Sequence, residues 1–260
     1  MDELLYEVVD GTDGALATLT LNRPKQGNAF SASLRAAMRE RVAAIEADDS
    51  VRIVVVRGEG RNFCAGADLA DGGPEHPVNE HLDREYKPFL TRMAEGSTIY
   101  IAQVQGSAAG IGAALAMNCD LVCMADNANV YMAFAAIALI PDGGNTWLLL
   151  SQMGYHRAFE AVVEGEKITA AEALRYGIAN RTFAADELEA RTMEWAHALA
   201  RKAPQSVAAT KRLLRRVGHM TYGDAISFEG LEQNPLLASQ DFQEGVAAFF
   251  EKRAPAFTGR

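Results

Sequence analysis

Cysteine is scarce: Cys64, Cys119 and Cys123 are the only three in 260 residues. An odd, sparse set argues against a disulfide framework and suits a reducing compartment, so a cytoplasmic location is expected. Cys119 and Cys123 have no second ligand pair and no neighbouring histidine, so both are expected in the core as small hydrophobes. His76, His81, His156, His197 and His219 fall in no ligand spacing, so no metal is expected. Long apolar runs are missing too. No stretch reaches the ~18 residues of a membrane span, so no membrane partner is expected. The opening "MDELLYEVVDG" is acidic and alternating, unlike a secretion signal. Positive charge is in deficit, with a net charge of −9, which argues against nucleic acid as a general partner.

That deficit is uneven. Residues 201–260 carry a net +3 and the rest −12, with "KRLLRR" (211–216) supplying much of the basicity. This basic tail reads either as a solvated helix face or as help in holding an anionic ligand. With 49% hydrophobic and 23% charged residues, the chain has the composition of an ordinary globular protein. Its length allows one large domain, or a core with a smaller lobe.

The first half alternates strands and helices. Residues 4–10 and 15–24 read as strands joined by the turn "GTDG" (11–14). Residues 31–49 read as a helix with Leu34, Ala37, Met38, Val42 and Ile45 on one face. Residues 52–60, 100–106 and 120–125 read as buried strands. This alternation predicts an α/β layer covered on both faces. Beyond residue 150 the pattern becomes helical. Thr169 and Glu172 form a capping box for a helix ending near Gly177. Further helices are expected over 185–202, 205–217, 224–233 and 241–252, the last opened by Asp241 and Glu244. The polar, Gly- and Pro-bearing stretch 70–87 reads as a mobile loop.

Small residues gather where strands end, in "NFCAGADL" (62–69) and "GSAAGIGAALA" (106–116). They allow a ligand to approach the backbone closely. A helix beginning near Ala109 would aim unpaired N–H groups above the strand, and two such groups from two turns make an oxyanion hole. Close helix packing through Gly and Ala accounts for the second segment equally well. A dinucleotide fingerprint fits poorly, because position 115 is Leu where a third glycine is needed. Cys64 has no evident basic partner for nucleophilic work. In "IALIPDGGNTWLL" (137–149), Asp142 is a lone acid after five apolar residues, readable as a turn former or as a catalytic carboxylate.

Five segments in order resemble the crotonase superfamily of enoyl-CoA hydratases and isomerases: "LNRPKQGNAF" (21–30), "NFCAGADL" (62–69), "VQGSAAGIGAALAMNCDLVCMA" (104–125), "LIPDGGNTWLL" (139–149) and "EGEKITAAEALRYGIANRTF" (164–183). The C-terminal "EGVAAFFEKRAPAF" (244–257) is similar to the family's last helix. The resemblance implies an α/β crotonase-like (ClpP/crotonase) spiral of ββα units. It divides the chain into an acyl-CoA-binding core (1–200) and a helical trimerisation region (201–260). The expected assembly is a homotrimer or a dimer of trimers. Coenzyme A would arrive as part of the substrate, with no separate cofactor.

The same resemblance assigns the oxyanion donors to the backbone N–H groups of Ala67 and Ile111. Each such donor is worth roughly 3–4 kcal/mol of transition-state stabilisation. Arg23 and Lys25 are the expected phosphate partners of CoA, with main-chain contacts at Ala29 and Ala65. Asp68, Leu69 and Gly110 fall within the binding segments. Tyr131, Met132 and Phe134 would form an apolar wall, while Phe249 and Lys252 would reach a neighbouring subunit's CoA. For all three cations, surface salt bridging is the competing account.

The chain departs from the hydratase pattern at two positions. Ala114 and Phe134 stand where that pattern has its two water-activating Glu residues. Asp142 follows the Pro of "IP", where many hydratases have Gly. The stretch 132–149 is similar to that of ring-1,2-epoxyphenylacetyl-CoA isomerases. A single-carboxylate isomerase using Asp142 is therefore the leading expectation. The alternatives are a hydratase drawing on Asp68, Glu80 or Glu85, and a non-catalytic acyl-CoA binder. Burial would raise the Asp142 pKa and a following helix near Thr146 would lower it, and the sequence leaves that balance open.

Overall fold

The computed structural model describes residues 2–9, 15–71 and 76–260. The expected turn at 11–14 and residues 72–75 of the polar segment lie outside the described residues.

Parallel strands covered on both faces need continuous apolar runs. The chain supplies two, β3 (Val51–Gly58) and, after β1 (Leu4–Val9) and β2 (Ala15–Leu21), β4 (Ile99–Val104), every residue of which is buried. They form the middle of a six-stranded sheet ordered β1-β2-β3-β4-β6-β9, with β6 at Leu121–Ala125 and β9 at Arg181–Phe183. Only β1 runs antiparallel to its neighbour in this sheet. A second layer contains β5 (Ser107–Ala109), β7 (Asn129–Tyr131) and β8 (Lys167–Thr169). Isolated bridges from Phe30 to Ala67 and from Cys64 to Ala108 extend it.

The chain repeats one path: a strand of the large sheet, a short pairing in the second layer, then a helix. β2 leads through Phe30 into α1 (Ala32–Glu46), and β3 leads through Cys64 and Ala67 toward α2 (Val78–His81) and α3 (Lys87–Glu95). β4 leads through β5 into α4 (Ile111–Asn118). This is a spiral of ββα units. α1 buries Leu34, Met38, Val42 and Ile45, and the Ser31 side chain caps its start. α4 is enclosed on all sides, with residues 111–117 buried, as its Gly- and Ala-rich sequence permits.

α5 (Asn145–Met153), α6 (Tyr155–Glu164), α7 (Ala170–Tyr176) and α8 (Leu188–Ala200) complete the spiral. α9 (Pro204–Val217), α10 (Tyr222–Leu237) and α11 (Gln240–Glu251) follow. The capping box at Thr169 and Glu172 is present.

Three expectations change. The segment 78–87 is not a loop: α2 runs into a π-helical turn, Leu82–Tyr86, where the Lys87 N–H reaches back to the Leu82 carbonyl. The helix expected near Ala109 starts at Ile111, because Ala109 is still paired in β5. Asp241 does not cap α11, since the Ser239 side chain accepts the Phe242 N–H instead. The Asp241 carboxylate, almost fully buried, grips the C-terminal segment through the N–H groups of Thr258 (2.7 Å) and Gly259 (2.8 Å).

One buried cation fastens α9 to the core. Lys211 Nζ lies 2.9 Å from Asp120 Oδ2 and also donates to the carbonyls of Met93 and Thr98, both at 2.6 Å. Asp120 accepts from Tyr100 N–H at 2.9 Å and from Arg215 at 3.4 Å. Arg212 pairs with Glu232 at 3.5 Å, so the basicity of "KRLLRR" serves internal pairing at three of its four cations. Lys211→Ala removes the buried cation paired with Asp120 and is expected to cost about 3–5 kcal/mol, read as a lower urea midpoint.

Candidate active site

The site begins with two glycines that touch. Gly66 (φ 103°) and Gly110 (φ 52°) both occupy backbone conformations that disfavour a side chain. A Cβ on Gly66 would lie 3.7 Å from the Gly110 Cα and 3.0 Å from the Ala109 carbonyl oxygen. The strand end at 66 and the helix start at 110 are thus pressed backbone to backbone.

This contact sets the amides that follow. Phe30 N–H donates to Gly66 O (2.8 Å), and Asp68 N–H donates to Phe30 O (3.1 Å). The intervening Ala67 therefore turns its own N–H away from Phe30. Ile111 is the first residue of α4, where an N–H has no acceptor within the helix. Two main-chain donors thus leave adjacent turns, as an oxyanion hole requires. Ala67 is exposed, and Ile111 is buried beneath the chain at Gly143.

Asn145 ties this pair of turns to Asp142. Its fully buried carboxamide donates to the Gly110 carbonyl at 2.9 Å and to the Asp142 carbonyl at 3.0 Å. The Asn145 backbone N–H also donates to the Asp142 carbonyl. Gly143 packs onto Ile111 and Ala114, where a Cβ would come within 2.8 Å and 3.1 Å of their side chains.

The carboxylate of Asp142 has no ion pair among the described residues, and its Oδ1 is sealed from solvent without a hydrogen bond. Burial raises its pKa above the ordinary 3.8, outweighing its own backbone N–H, which lowers it. The balance left open by the sequence is therefore settled by desolvation. The first N–H of α5 is spent on the Asp142 main-chain carbonyl rather than on its carboxylate.

The other carboxylates considered from the sequence are committed elsewhere. Asp68 pairs with Arg23 at 2.9 Å, and that hydrogen bond holds its pKa below the usual value. Glu85 pairs with both Arg35 and Arg39, and Glu80 with Arg84 at 3.0 Å. Ala114 and Phe134 are buried and apolar. The Phe134 ring reaches 3.7 Å from where a Gly110 Cβ would sit, with Met132 buried beside it in sequence. Tyr131 contributes a carbonyl that accepts the Gly110 N–H at 3.0 Å.

The expected CoA contacts divide. Ala29 is buried and Ala65 exposed, and the Ala65 N–H bonds the Gly27 carbonyl at 2.9 Å, so the two motifs meet. Lys25 stands exposed on a short 3-10 turn, and Leu69 is 77% exposed. Arg23 shows the salt bridging that was the competing account. It pairs with Glu3 and Asp68, both at 2.9 Å, so its charge is already matched inside the protein. Phe249 and Lys252 sit at the exposed end of α11 and do not line the cavity beside Gly143. Cys64 is fully buried and its thiol is pushed up to about 12 by desolvation, which removes it as a nucleophile.

A model of the enoyl-CoA hydratase/isomerase family matches residues 11–260. The chain belongs to that family. It is 33% identical to the 1,2-epoxyphenylacetyl-CoA isomerase of Escherichia coli K12, over 97% of this chain and 98% of that protein. It is 38% identical to a probable enoyl-CoA hydratase of Rhodobacter capsulatus, over 98% and 97%. The crystal structure of an enoyl-CoA hydratase from Bacillus anthracis superposes with a TM-score of 0.92 at 28% identity, covering 98% of this chain and 99% of that one. The spiral is the crotonase fold.

Sequence reading missed two residues of the site. Asn145 sits beside a Gly-Gly pair and signals only a helix start. Tyr86 falls in a segment read as a loop, yet it is 3% exposed and lines a cavity of about 530 Å³ with Gly143, Gly144 and Trp147.

Burial of Asp142 has a pH signature. Its folded-state pKa is raised, so the folded protein holds the proton more tightly and loses stability as pH rises above the ordinary 3.8. Asp142→Asn is accordingly expected to raise Tm at pH 7, and the gain should vanish below pH 3.8, as followed by thermal melts across pH.

Proposed function

We propose that the chain is a CoA-thioester isomerase in which Asp142 alone shuttles the proton. The observation that carries this reading is the free, desolvated Asp142 carboxylate, tied through Asn145 to the oxyanion turn while Asp68, Glu80 and Glu85 are held in ion pairs.

The chemistry follows from charge. Asp142 takes a proton from C2 of the acyl group, and the electron pair moves onto the thioester oxygen. The N–H groups of Ala67 and Ile111 stabilise that oxygen, and their hydrogen bonds strengthen as charge builds on it, which is what lowers the barrier. In a 3-enoyl thioester Asp142 then returns the proton to C4, and the double bond moves from C3–C4 to C2–C3. In a ring-1,2-epoxide the ring C–C bond under the oxygen opens to a seven-membered oxygen ring, and the proton from C2 returns to a ring carbon. Either way, substrate and product have the same atoms. A base tuned above its ordinary value works better near neutral pH.

Hydration would need a water held and deprotonated beside C3, and Ala114 and Phe134 offer no group to do so. Purified enzyme is therefore expected to convert 3-enoyl-CoA or the ring epoxide while leaving crotonyl-CoA absorbance unchanged. Asp142→Asn should abolish conversion with CoA-thioester affinity within about threefold, since a change of that size in Kd is under 1 kcal/mol. Full turnover by that variant, or rapid hydration of crotonyl-CoA, would falsify the reading.

The working form is a homotrimer or a dimer of trimers. Support comes from α10 and α11, which carry Leu231, Phe242, Val246, Phe249 and Phe250 exposed, the last two at 78% and 76%. Phe250→Glu is expected to lower the molar mass measured by light scattering toward that of one 28.0 kDa chain.

A further inference from the structure

The side chain of Asn145 carries a feature that packing alone does not explain. It is fully buried, and its Oδ1 is sealed from solvent without a hydrogen bond. A sealed, unpaired oxygen is unfavourable, so a residue needed only to fill this space would be apolar. The reason for a carboxamide lies at its other end. Nδ2 donates to the Gly110 carbonyl at 2.9 Å and to the Asp142 carbonyl at 3.0 Å, which uses the two N–H groups that an amide has.

The Gly110 carbonyl shares a peptide unit with the Ile111 N–H. A trans peptide is planar, with its C=O and N–H pointing opposite ways, so holding the oxygen aims the N–H. Gly110 (φ 52°, ψ −127°) has no side chain to restrict that plane, so the hold has to come from outside. The N–H groups of Ala113 and Ala114 also donate to this oxygen, at 3.0 Å and 3.3 Å, but both belong to α4 and move with it. Asn145 donates from a different helix, α5. A hydrogen bond at the carbonyl also polarises the peptide and strengthens its N–H as a donor, more so away from water. At its second bond the same carboxamide holds the Asp142 carbonyl, which the Asn145 backbone N–H holds as well.

We propose that Asn145 is a positioning residue for the reaction: its carboxamide aims the Ile111 N–H and fixes that donor relative to the main chain of Asp142. It touches no reacting atom. The role of Asp142 in this statement rests on the isomerase reading above, whereas the effect on the Ile111 N–H does not.

The test reads the donor directly. Hexanoyl-CoA, isotopically labelled at the thioester carbonyl carbon, has no double bond to move. Infrared difference spectra on the full-length protein report its C=O stretch, which falls in frequency as the hydrogen bonds to it strengthen. The wild type is expected to lower that frequency on binding. Asn145→Ala and Asn145→Leu are expected to lose about half of the lowering, since Ala67 keeps its donor. Leu keeps the branching of Asn without its polar atoms, and thermal melts check that both variants are folded. The Kd for hexanoyl-CoA should stay within about threefold. On 3-enoyl-CoA, kcat should fall about tenfold, short of the roughly hundred- to thousandfold cost of a deleted donor, with KM within about threefold.

A wild type that leaves the carbonyl frequency unchanged overturns the proposal. So does full lowering retained by either folded variant, which would make Asn145 a packing residue. Unfolding of both variants would assign Asn145 to the fold and overturn it too. Because hexanoyl-CoA needs no turnover, failure here is distinguishable from failure of the isomerase reading, which is judged by turnover in Asp142→Asn.

Discussion

Two backbones meeting without side chains between them is the constraint on which the site depends. Gly66 and Gly110 approach so closely that a Cβ on the first would crowd the Ala109 carbonyl. Their positive φ values turn the chain just ahead of Ala67, which is exposed, and Ile111, which is buried as the first residue of α4. Everything else is arranged around that contact. Phe30 holds the first strand end from one side, and the Asn145 carboxamide clamps the second turn to the chain at Asp142. In the proposed isomerase, main-chain donors held this way would need no reorganisation when charge appears on the thioester oxygen.

The proposed acid, Asp142, sits under the opposite condition. A carboxylate in an ion pair is stabilised as the anion and loses basicity. Asp68 and Glu85 illustrate this, since each faces an arginine and their pKa values are lowered. Asp142 has no such partner among the described residues, and burial raises it. The protein thus keeps one carboxylate uncomfortable while satisfying its neighbours. Local instability of this kind at a reactive group is a recurrent cost of function.

The architecture was legible because it rests on local signals. Apolar runs such as "RIVVV" read as doubly covered strands, and the helically spaced apolar face of 31–49 read as a helix. The two glycine turns and the lone acid were legible from their neighbours. What escaped depends on partners distant in sequence or on irregular backbone. Arg23 beside a binding motif reads as either a phosphate ligand or a salt-bridge partner, because nothing in "LNRPKQGNAF" announces Glu3 or Asp68 as its counter-ions. Asp241 reads as a cap, since its grip on Thr258 and Gly259 closes only in three dimensions. Tyr86 is hidden most deeply, because Gly and Pro upstream suggest a loop and a π turn follows no usual periodicity.

That π turn links reach to chain length. Its hydrogen bond spans five residues where an α-helical one spans four, so the segment Leu82–Tyr86 accommodates an extra residue before α3 begins. Removing one residue there would rotate a different side chain onto the cavity wall, without any substitution in the residues that remain. The shape of this cavity can thus change by insertion and deletion, a route that a residue-by-residue comparison of relatives would overlook.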